Sequence, residues 1–323
     1  MCYGNDGHGA LRRSLAARGI DRRRFLLASM AAGGAVAFGA GAAVPAHADA
    51  RPGRQPGRPG GRPVPPGLIS IQLYTVREAL GGEPGFDATL RAIAEFGYPK
   101  VEQAGYYGRT AQQLKAFYDE IGVSCTSSHD GISGSRQELD QKIENALTLG
   151  QSFIVVPYLN SDDLDDWKMW AEQMNAEAEV ARSAGLRYGY HNHAHEFTID
   201  LGGGRTPWEV LTEEFDPKLV HLEIDIYWAV TGGINSGDGV DDPEGFTLDV
   251  IRRAPQKVLQ YHVKDRDPAT GDMADLGTGH IDFARIFRGH RVLEYIMEND
   301  TPDVTPLQTA QVGYDYLRAI RPW

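Results

Sequence analysis

The chain has 323 residues, of which 41% are hydrophobic and 24% are charged, and its formal net charge is −12. This apolar content excludes a disordered acidic chain, and two cysteines are too few for a disulfide scaffold. The negative charge argues against nucleic-acid binding, which depends on clustered Lys and Arg. The length suits either one large α/β barrel of about 250 residues or two ordinary domains.

Residues 1–48 have the three parts of a signal peptide. An arginine pair at 22–23 precedes an uncharged run over 25–43, and Ala46–Ala48 forms a small-x-small cleavage site. The run resembles a twin-arginine signal, which a receptor reads and which does not serve as an anchor. The alternative is a membrane helix, but such spans are usually less rich in Gly. We therefore expect cleavage before Asp49 and export to the periplasm or the outside, with no stable membrane anchor afterwards.

Removal of this segment changes the charge and the cysteine content. The segment holds six Arg and two Asp, so the remaining chain carries −16 and keeps only Cys125, which has no partner for an internal disulfide. Residues 49–66 are dominated by Pro, Gly and Arg, which predicts a solvated linker. The folded domain is expected to start near Gly67 and to cover 67–323.

Short apolar runs alternate with helical patterns from Gly67 onward. The predicted strands are 68–73, 101–103, 124–127, 153–157, 187–190, 220–226, 258–263 and 292–297. Such alternation predicts a mostly parallel sheet, and eight units in this length predict a (β/α)8 TIM barrel. The alternative is an open doubly wound sheet, although the GxGxxG sequence of its dinucleotide-binding version does not follow the first strand.

The helical patterns lie between these strands. The predicted helices cover 86–96, 110–121, a long stretch from 161 to about 185, a segment after Thr206, 282–287 and 306–320. Thr206 is followed by Pro207, which is typical of a helix cap and first helical position. Residues 231–245 are rich in Gly and Asp and are expected to form a loop after strand six, either a lid or a plain insertion.

Polar residues gather at the carboxyl ends of the strands, where a barrel builds its site. With a period of two, Asp225, His262 and Glu298 come last on one face of strands six, seven and eight. These three side chains are therefore expected to converge, with a fourth ligand from the end of strand five. One imidazole with two or three carboxylates suits one divalent ion, Mn²⁺, Mg²⁺, Co²⁺ or Zn²⁺, and excludes a zinc site of the cysteine type.

Five short motifs, each at or near a predicted strand end, carry a resemblance to a known family. They are YHNHAHEF from Tyr190, EIDIYW from Glu223, HVKD from His262, DLGTGHIDF from Asp275 and MEND from Met297. Together they resemble the xylose-isomerase-like barrels, also called the sugar phosphate isomerase/epimerase family, from about Leu68 to the C-terminus. The resemblance implies a (β/α)8 barrel with one divalent metal ion held by Glu, Asp, His and Glu.

Three of these four ligands match positions of this chain, namely Asp225, His262 and Glu298. Many members of the family have a carboxylate at the end of strand five, where this chain has His191. We expect Glu196, in the following loop, to supply the fourth ligand. His191 or His193 is the alternative.

The resemblance also implies proton transfer next to a sugar carbonyl, through an enediolate. A metal ion would polarise the carbonyl, and Glu298 and Glu196 would act as base and acid. Lys264 would stabilise negative charge on a substrate oxygen, and His129 would hydrogen-bond hydroxyls or move protons. The predicted substrate contacts are His191, His193, Trp228 and Glu102, and Glu102 has a structural salt bridge as its alternative role.

The function predicted from these residues is a metal-dependent carbohydrate isomerase or epimerase. Export and the lack of a basic phosphate-binding motif favour an unphosphorylated sugar or keto-sugar. A lyase or dehydratase acting on a keto-sugar or a 3-keto-glycoside needs the same metal and base, and a non-catalytic sugar-binding barrel is a further alternative. The related endonuclease activity would need several metal ions and a basic groove, against which a charge of −16 argues. The sequence is compatible with a homo-oligomer and does not define one.

Overall fold

Eight parallel strands close into a barrel in the computed structural model, which describes residues 61–237 and 239–323. The strands are β1 (Ile69–Gln72), β2 (Lys100–Gln103), β3 (Ser124–His129), β4 (Phe153–Val156), β5 (Arg187–His191), β6 (Val220–Asp225), β7 (Val258–Val263) and β8 (Glu294–Met297). Each strand pairs with its neighbours in chain order, and β8 pairs with β1 to complete the ring. The predicted (β/α)8 barrel is confirmed, with each predicted strand within two residues of its observed bounds.

Helices cover the outside of the barrel between the strands. They are α1 (Arg77–Gly81), α2 (Phe86–Phe96), α3 (Ala111–Ile121), α4 (Arg136–Leu149), α5 (Leu164–Ser183), α6 (Pro207–Glu214), α7 (Ile226–Asn235), α8 (Pro243–Arg253), α9 (Phe283–Gly289) and α10 (Pro306–Ala319). Thr110, Thr206 and Thr305 begin α3, α6 and α10, each with a reciprocal capping box that satisfies otherwise unpaired backbone N–H groups. The sequence patterns that predicted these three helix starts therefore had a direct physical basis.

The expected loop over 231–245 is wrong for most of its length. Helix α7 continues to Asn235, and α8 begins at Pro243. A Cβ atom added to Gly232 would lie 2.6 Å from the ring of Phe197, and one added to Gly233 would lie 2.7 Å from the ring of Phe246. These glycines therefore permit close helix packing and do not mark a loop, which is why composition alone predicted the wrong structure.

The residues just before β1 belong to the packed barrel. Val64 is fully buried, and the backbone N–H of Arg62 donates to the carbonyl of Trp323 near the C-terminus. These contacts lie ahead of the expected domain start at Gly67 and within the expected linker 49–66. The expected signal peptide, 1–48, lies outside the described residues. Within the described part of the chain, none of the helices has the length and apolar character needed to cross a bilayer.

One carboxylate organises the long connection after β7. Asp265 accepts hydrogen bonds from the backbone N–H groups of Arg266, Gly277, Gly279 and Ile281, at 2.8 to 3.2 Å. A Cβ atom at Gly279 would lie 2.2 Å from this carboxylate, so only glycine fits there. This glycine-rich turn, which lies in the DLGTGHIDF segment, is therefore fixed next to the strand end that carries the centre described below.

Candidate metal centre

The carboxyl ends of β5 to β8 bring four potential ligands together. His191, Asp225, His262 and Glu298 each offer one donor atom, and these atoms lie within 4.8 Å of one another. His262 Nδ1 is 2.8 Å from Glu298 Oε2, and His191 Nε2 is 3.7 Å from Asp225 Oδ2. All four residues are at most 3% exposed. We call these four residues the outer donor set.

Local structure places the two oxygens of Asp225 in different roles. Asp225 ends β6 and begins α7, so its Oδ1 accepts the backbone N–H of Trp228 at 2.9 Å as a helix cap. Asn192, just after β5, holds the Asp225 backbone from the side, because its Oδ1 accepts the Asp225 N–H at 3.0 Å. Asp225 Oδ2 is buried and has no hydrogen-bond partner among the residues described.

A second group of side chains lies against the other edges of the same imidazoles. Glu223 Oε1 is 2.9 Å from His129 Nε2 and 3.1 Å from both His191 Nδ1 and His262 Nε2. His262 Nε2 is also 2.7 Å from Glu102 Oε1. His129, His191, Glu223 and His262 thus form an inner donor set that shares two imidazoles with the outer one.

The shared imidazoles make the two sets alternatives for one ion. A neutral imidazole binds a metal through one nitrogen and donates its N–H from the other, commonly to a carboxylate. An ion in the outer set would use His191 Nε2 and His262 Nδ1, while Glu223 and Glu102 accept the N–H groups of the opposite nitrogens. The outer set is favoured because it contributes two carboxylates, whereas the inner set contributes one.

The charges of the centre fit a divalent cation. Five carboxylates lie in this region, those of Glu102, Glu223, Asp225, Glu298 and Asp300. Within the described chain Lys264 contacts three of them, and His262 contacts Glu102 and Glu223. Lys264 Nζ lies 2.8 Å from Glu298, 3.0 Å from Asp225 and 3.2 Å from Asp300. Its approach to Asp225 Oδ2 lacks hydrogen-bond geometry, since that oxygen has no described partner. Buried carboxylates in excess of cations are costly, so the donor set suits a bound divalent ion.

The same neighbours control ionisation. Burial opposes the charged forms of Glu223 and Glu298. His262, with hydrogen bonds from His129 and His191, still holds the pKa of Glu223 well below its usual value, and Lys264 and His262 do the same for Glu298. Burial also opposes a charge on His262, yet Glu223, Glu298 and Glu102 raise its pKa well above the usual value. Burial and the charge on His262 lower the pKa of His191 to about 4, so His191 is neutral at neutral pH and can be a ligand.

Asp300 and Glu223 are not among the site residues predicted from the sequence. Burial, followed by the nearby charge of Glu298, raises the pKa of Asp300 to about 6. Its Oδ2 accepts from Lys264, and its Oδ1 has no hydrogen-bond partner in the described structure. Asp300 ends the MEND motif, and Glu223 precedes Asp225 by two residues on one strand face. Those positions are the signals from which both residues could have been predicted.

Glu196 accepts hydrogen bonds from its own loop and strand and does not face the other predicted metal ligands. Tyr190 donates its hydroxyl to Glu196 Oε1 at 2.6 Å, and the His193 backbone N–H donates to Oε2 at 2.9 Å. These bonds tie the loop after β5 to its own strand, and Glu196 belongs to neither donor set. Its predicted roles as ligand and acid therefore have no support in this geometry, and the alternative, His191, occupies the fourth position.

Glu102 is also enclosed by protein groups. Gln72 donates to one of its oxygens at 2.7 Å and Ser127 to the other at 2.6 Å. With His262 and His129 against it as well, Glu102 is placed to support imidazoles, and its predicted contact with substrate stays a prediction. Two predicted substrate contacts, His193 and Trp228, lie beside the outer set with ring centroids 5.3 Å apart.

A pair of variants separates the two choices for the fourth ligand. We expect Glu196→Gln to keep about one divalent ion per chain, because the amide can still accept from Tyr190 or His193. We expect His191→Ala to weaken metal binding by about 10- to 100-fold or more, since a ligand is lost. Metal titration by calorimetry on both purified variants checks this, and loss of the ion from Glu196→Gln alone would restore Glu196 as the ligand.

Comparisons with known proteins agree with this architecture. The chain is 24% identical over 293 residues to an inosose dehydratase of Glaesserella parasuis, an alignment that covers 75% of this chain and 92% of the relative. A solved sugar phosphate isomerase/epimerase of Parabacteroides distasonis superposes with a TM-score of 0.62 at 24% identity, over 78% of this chain and 94% of that one. The IolI protein, solved with a zinc atom, superposes with a TM-score of 0.56 at 12% identity, over 77% and 96%.

The family comparison covers most of the barrel. The sequence model for xylose isomerase-like TIM barrels matches residues 90–312, from within α2 to within α10. That range includes every member of both donor sets. The chain therefore belongs to the xylose isomerase-like TIM barrel family.

Proposed function

We propose that this chain is a metal-dependent enzyme that moves a proton at the carbon next to the carbonyl of an unphosphorylated sugar or keto-sugar, and that it acts as an isomerase or epimerase. The observation that carries the proposal is the outer donor set, with Lys264 in contact with two of its carboxylates. The bound zinc of the IolI structure supports a metal in this fold, and we leave the ion as Mn²⁺, Mg²⁺, Co²⁺ or Zn²⁺.

His191, Asp225, His262 and Glu298 would hold the ion, which supplies polarisation of the carbonyl and stabilisation of an enediolate oxygen. Glu298 is kept ionised by its neighbours, so it can accept the proton from carbon. Lys264 remains protonated, since its carboxylate neighbours outweigh burial and raise its pKa, and it can donate a hydrogen bond to a substrate oxygen.

The placement of the acid and base groups favours reactions in which a proton is removed and returned on the same face of the substrate. Glu298, Lys264 and Asp300 follow β7 and β8, whereas Glu196 is hydrogen-bonded within the loop after β5. An isomerisation can remove and return the proton with one group, but an epimerisation needs a second group on the opposite face. Within our proposal, isomerisation therefore has more support than epimerisation, and His129 or His191 would have to serve an epimerisation.

Dehydration is the second candidate. The inosose dehydratase relative favours it, and one carboxylate on one face also suffices to abstract a proton before a β-hydroxyl leaves.

We further propose export by the twin-arginine route and a small carbohydrate as the partner. The net charge of −12 continues to argue against nucleic acid.

Proton exchange with solvent tests the proposal. The Mn²⁺-loaded full chain is incubated in D₂O with a panel of keto-sugars and inosose, and proton NMR follows the signal next to the carbonyl. We expect that signal to disappear in the wild type and to persist in Glu298→Gln. A new sugar isomer supports isomerisation, an enone absorbance supports dehydration, and no exchange with any ketone of the panel contradicts the proposal.

A further inference from the structure

Two aromatic side chains beside the outer donor set have unused hydrogen-bonding atoms. Trp228 Nε1 and His193 Nδ1 are both buried, and neither has a hydrogen-bond partner within the described residues. A buried polar atom without a partner costs stability, so atoms of this kind in a native structure call for a ligand or an ordered water. Their rings pack against each other, with centroids 5.3 Å apart and planes inclined by 36°.

The centre fixes the position of both rings. The Trp228 backbone N–H binds Asp225 Oδ1, and the His193 backbone N–H binds Glu196 Oε2. Tyr158 packs edge-on against His193, with ring centroids 5.1 Å apart. Trp228 also lies beside Lys264, whose Nζ is 5.5 Å from the Trp228 ring centroid. The pair therefore forms an aromatic wall directly next to the residues proposed to carry the chemistry.

The two side chains offer complementary hydrogen-bonding atoms. The indole N–H only donates, and the imidazole Nδ1 donates or accepts according to the tautomer of the ring. Asp300, which also contacts Lys264, has a further acceptor without a described partner, its Oδ1. An indole donor, an imidazole nitrogen and a carboxylate oxygen near one ammonium suit alcohol hydroxyls.

The same arrangement does not suit a phosphate ester. Lys264, the nearest cation to the wall, already contacts three carboxylates, so a phosphate dianion there would meet negative charge that one ammonium cannot offset. Phosphate sites depend on several N–H donors or on guanidinium groups, which supply a surplus of positive charge.

We propose that Trp228 and His193 form a subsite for a neutral six-membered ring with adjacent hydroxyl groups. The apolar C–H face of the ring packs on the indole, and neighbouring hydroxyls pair with Trp228 Nε1 and His193 Nδ1. This inference rests on the proposed function, because it assigns the substrate class of the same centre. It selects cyclic, uncharged polyols and ketones over phosphorylated sugars.

Binding measurements with defined probes test the subsite. Calorimetry on the Mn²⁺-loaded full chain measures the affinity for D-glucose, myo-inositol and glucose 6-phosphate. We expect Trp228→Phe, which keeps an aromatic face but removes the N–H, to weaken binding of the two neutral rings by about five- to tenfold. His193→Phe should do the same. Trp170→Phe, on α5 and packed against Trp167, serves as the matched control and should leave binding unchanged.

The inference is overturned if Trp228→Phe and His193→Phe bind as the wild type does, if glucose 6-phosphate binds more tightly than glucose, or if neither neutral ring binds to the wild type. Solvent exchange is measured on the same preparations. If the wild type exchanges its substrate proton with solvent but sugar binding does not depend on Trp228, the subsite is contradicted and the proposed function is left intact. Trp228-dependent binding without exchange keeps the subsite and removes the proposed function, which then points to a sugar-binding barrel.

Discussion

Asp225→Asn is expected to abolish stable binding of the divalent ion and to lower turnover by about 100- to 1,000-fold, the range seen when one group that stabilises transition-state charge is lost. The amide keeps the size of the side chain and can still accept the Trp228 N–H, so α7 keeps its cap. The change removes the negative charge from Oδ2, the buried oxygen for which the described chain offers no hydrogen bond. Metal content of the purified variant, together with the D₂O exchange rate, measures both effects.

A matched control exists in Asp242→Asn. Asp242 also caps a helix, because its Oδ1 accepts the Gly245 N–H at the start of α8, but it is exposed and remote from both donor sets. We expect this variant to keep the ion and the wild-type exchange rate. If Asp225→Asn retained a full equivalent of metal while Asp242→Asn behaved as the wild type, the outer donor set would be the wrong site.

Of the substitutions proposed here, Lys264→Met should cause the largest fall in the free energy of unfolding of the metal-free protein. It leaves the carboxylates of Asp225, Glu298 and Asp300 without their buried cation, and removal of one partner from a buried ion pair typically costs about 3–5 kcal/mol. Urea unfolding at pH 7 in the presence of a chelator measures the loss. Turnover of the metal-loaded variant should also fall, by about 100-fold, since a donor to the developing oxyanion is gone.

The same variant should change how stability depends on pH. In the wild type the pKa of Glu298 is depressed, so the ionised carboxylate stabilises the fold above its unfolded value of about 4.5, and this stabilisation is lost as pH falls through the folded pKa. The raised pKa of Lys264 adds stabilisation that is present below about 10.5 and is lost only as pH rises through the folded value. Without Lys264 the folded pKa of Glu298 rises towards its unfolded value, so the free energy of unfolding should fall less steeply as the pH drops below about 5.

Lys142→Met is the control that separates the effect of Lys264→Met on stability from its effect on proton exchange. Lys142 is also largely buried and pairs with Glu177 at 3.1 Å, a buried carboxylate that Ser133 and Tyr188 bond as well. We expect Lys142→Met to destabilise the fold but to leave metal affinity and exchange unchanged. Equal losses of exchange in the two variants would mean that Lys264 acts only through stability.

The barrel was predictable because its strands are short, apolar and evenly spaced. Strand β7 matches its predicted bounds, Val258–Val263, and α2 matches at Phe86–Phe96, where an apolar face recurs at helical spacing. Helix α4 was missed because Arg136–Leu149 is mostly polar and exposes much of its surface. The loop predicted around Gly232 and Gly233 is wrong because these glycines make room for the rings of Phe197 and Phe246, a requirement of tertiary packing that the local sequence does not show.

The centre was predictable where the strand period applies and uncertain beyond the strand ends. Asp225, His262 and Glu298 converge as expected, since each lies within one residue of the carboxyl end of its strand. The fourth position could not be decided from sequence, because the loop after β5 turns Glu196 back towards Tyr190 and His193. Which nitrogen of an imidazole faces a carboxylate is likewise set by three-dimensional contacts and not by spacing.

The anchoring of the β7 connection by Asp265 makes the barrel modular at this edge. Its four backbone hydrogen bonds join the start of the connection to its far end, and between them Arg266 pairs with the buried Met273 in a two-stranded antiparallel ribbon. The tip of the ribbon, residues 268–270, is exposed, so insertions there can be accommodated without moving Lys264, which directly precedes the anchor. The tip of this connection can thus diversify, by evolution or by loop grafting, while the two donor sets stay fixed.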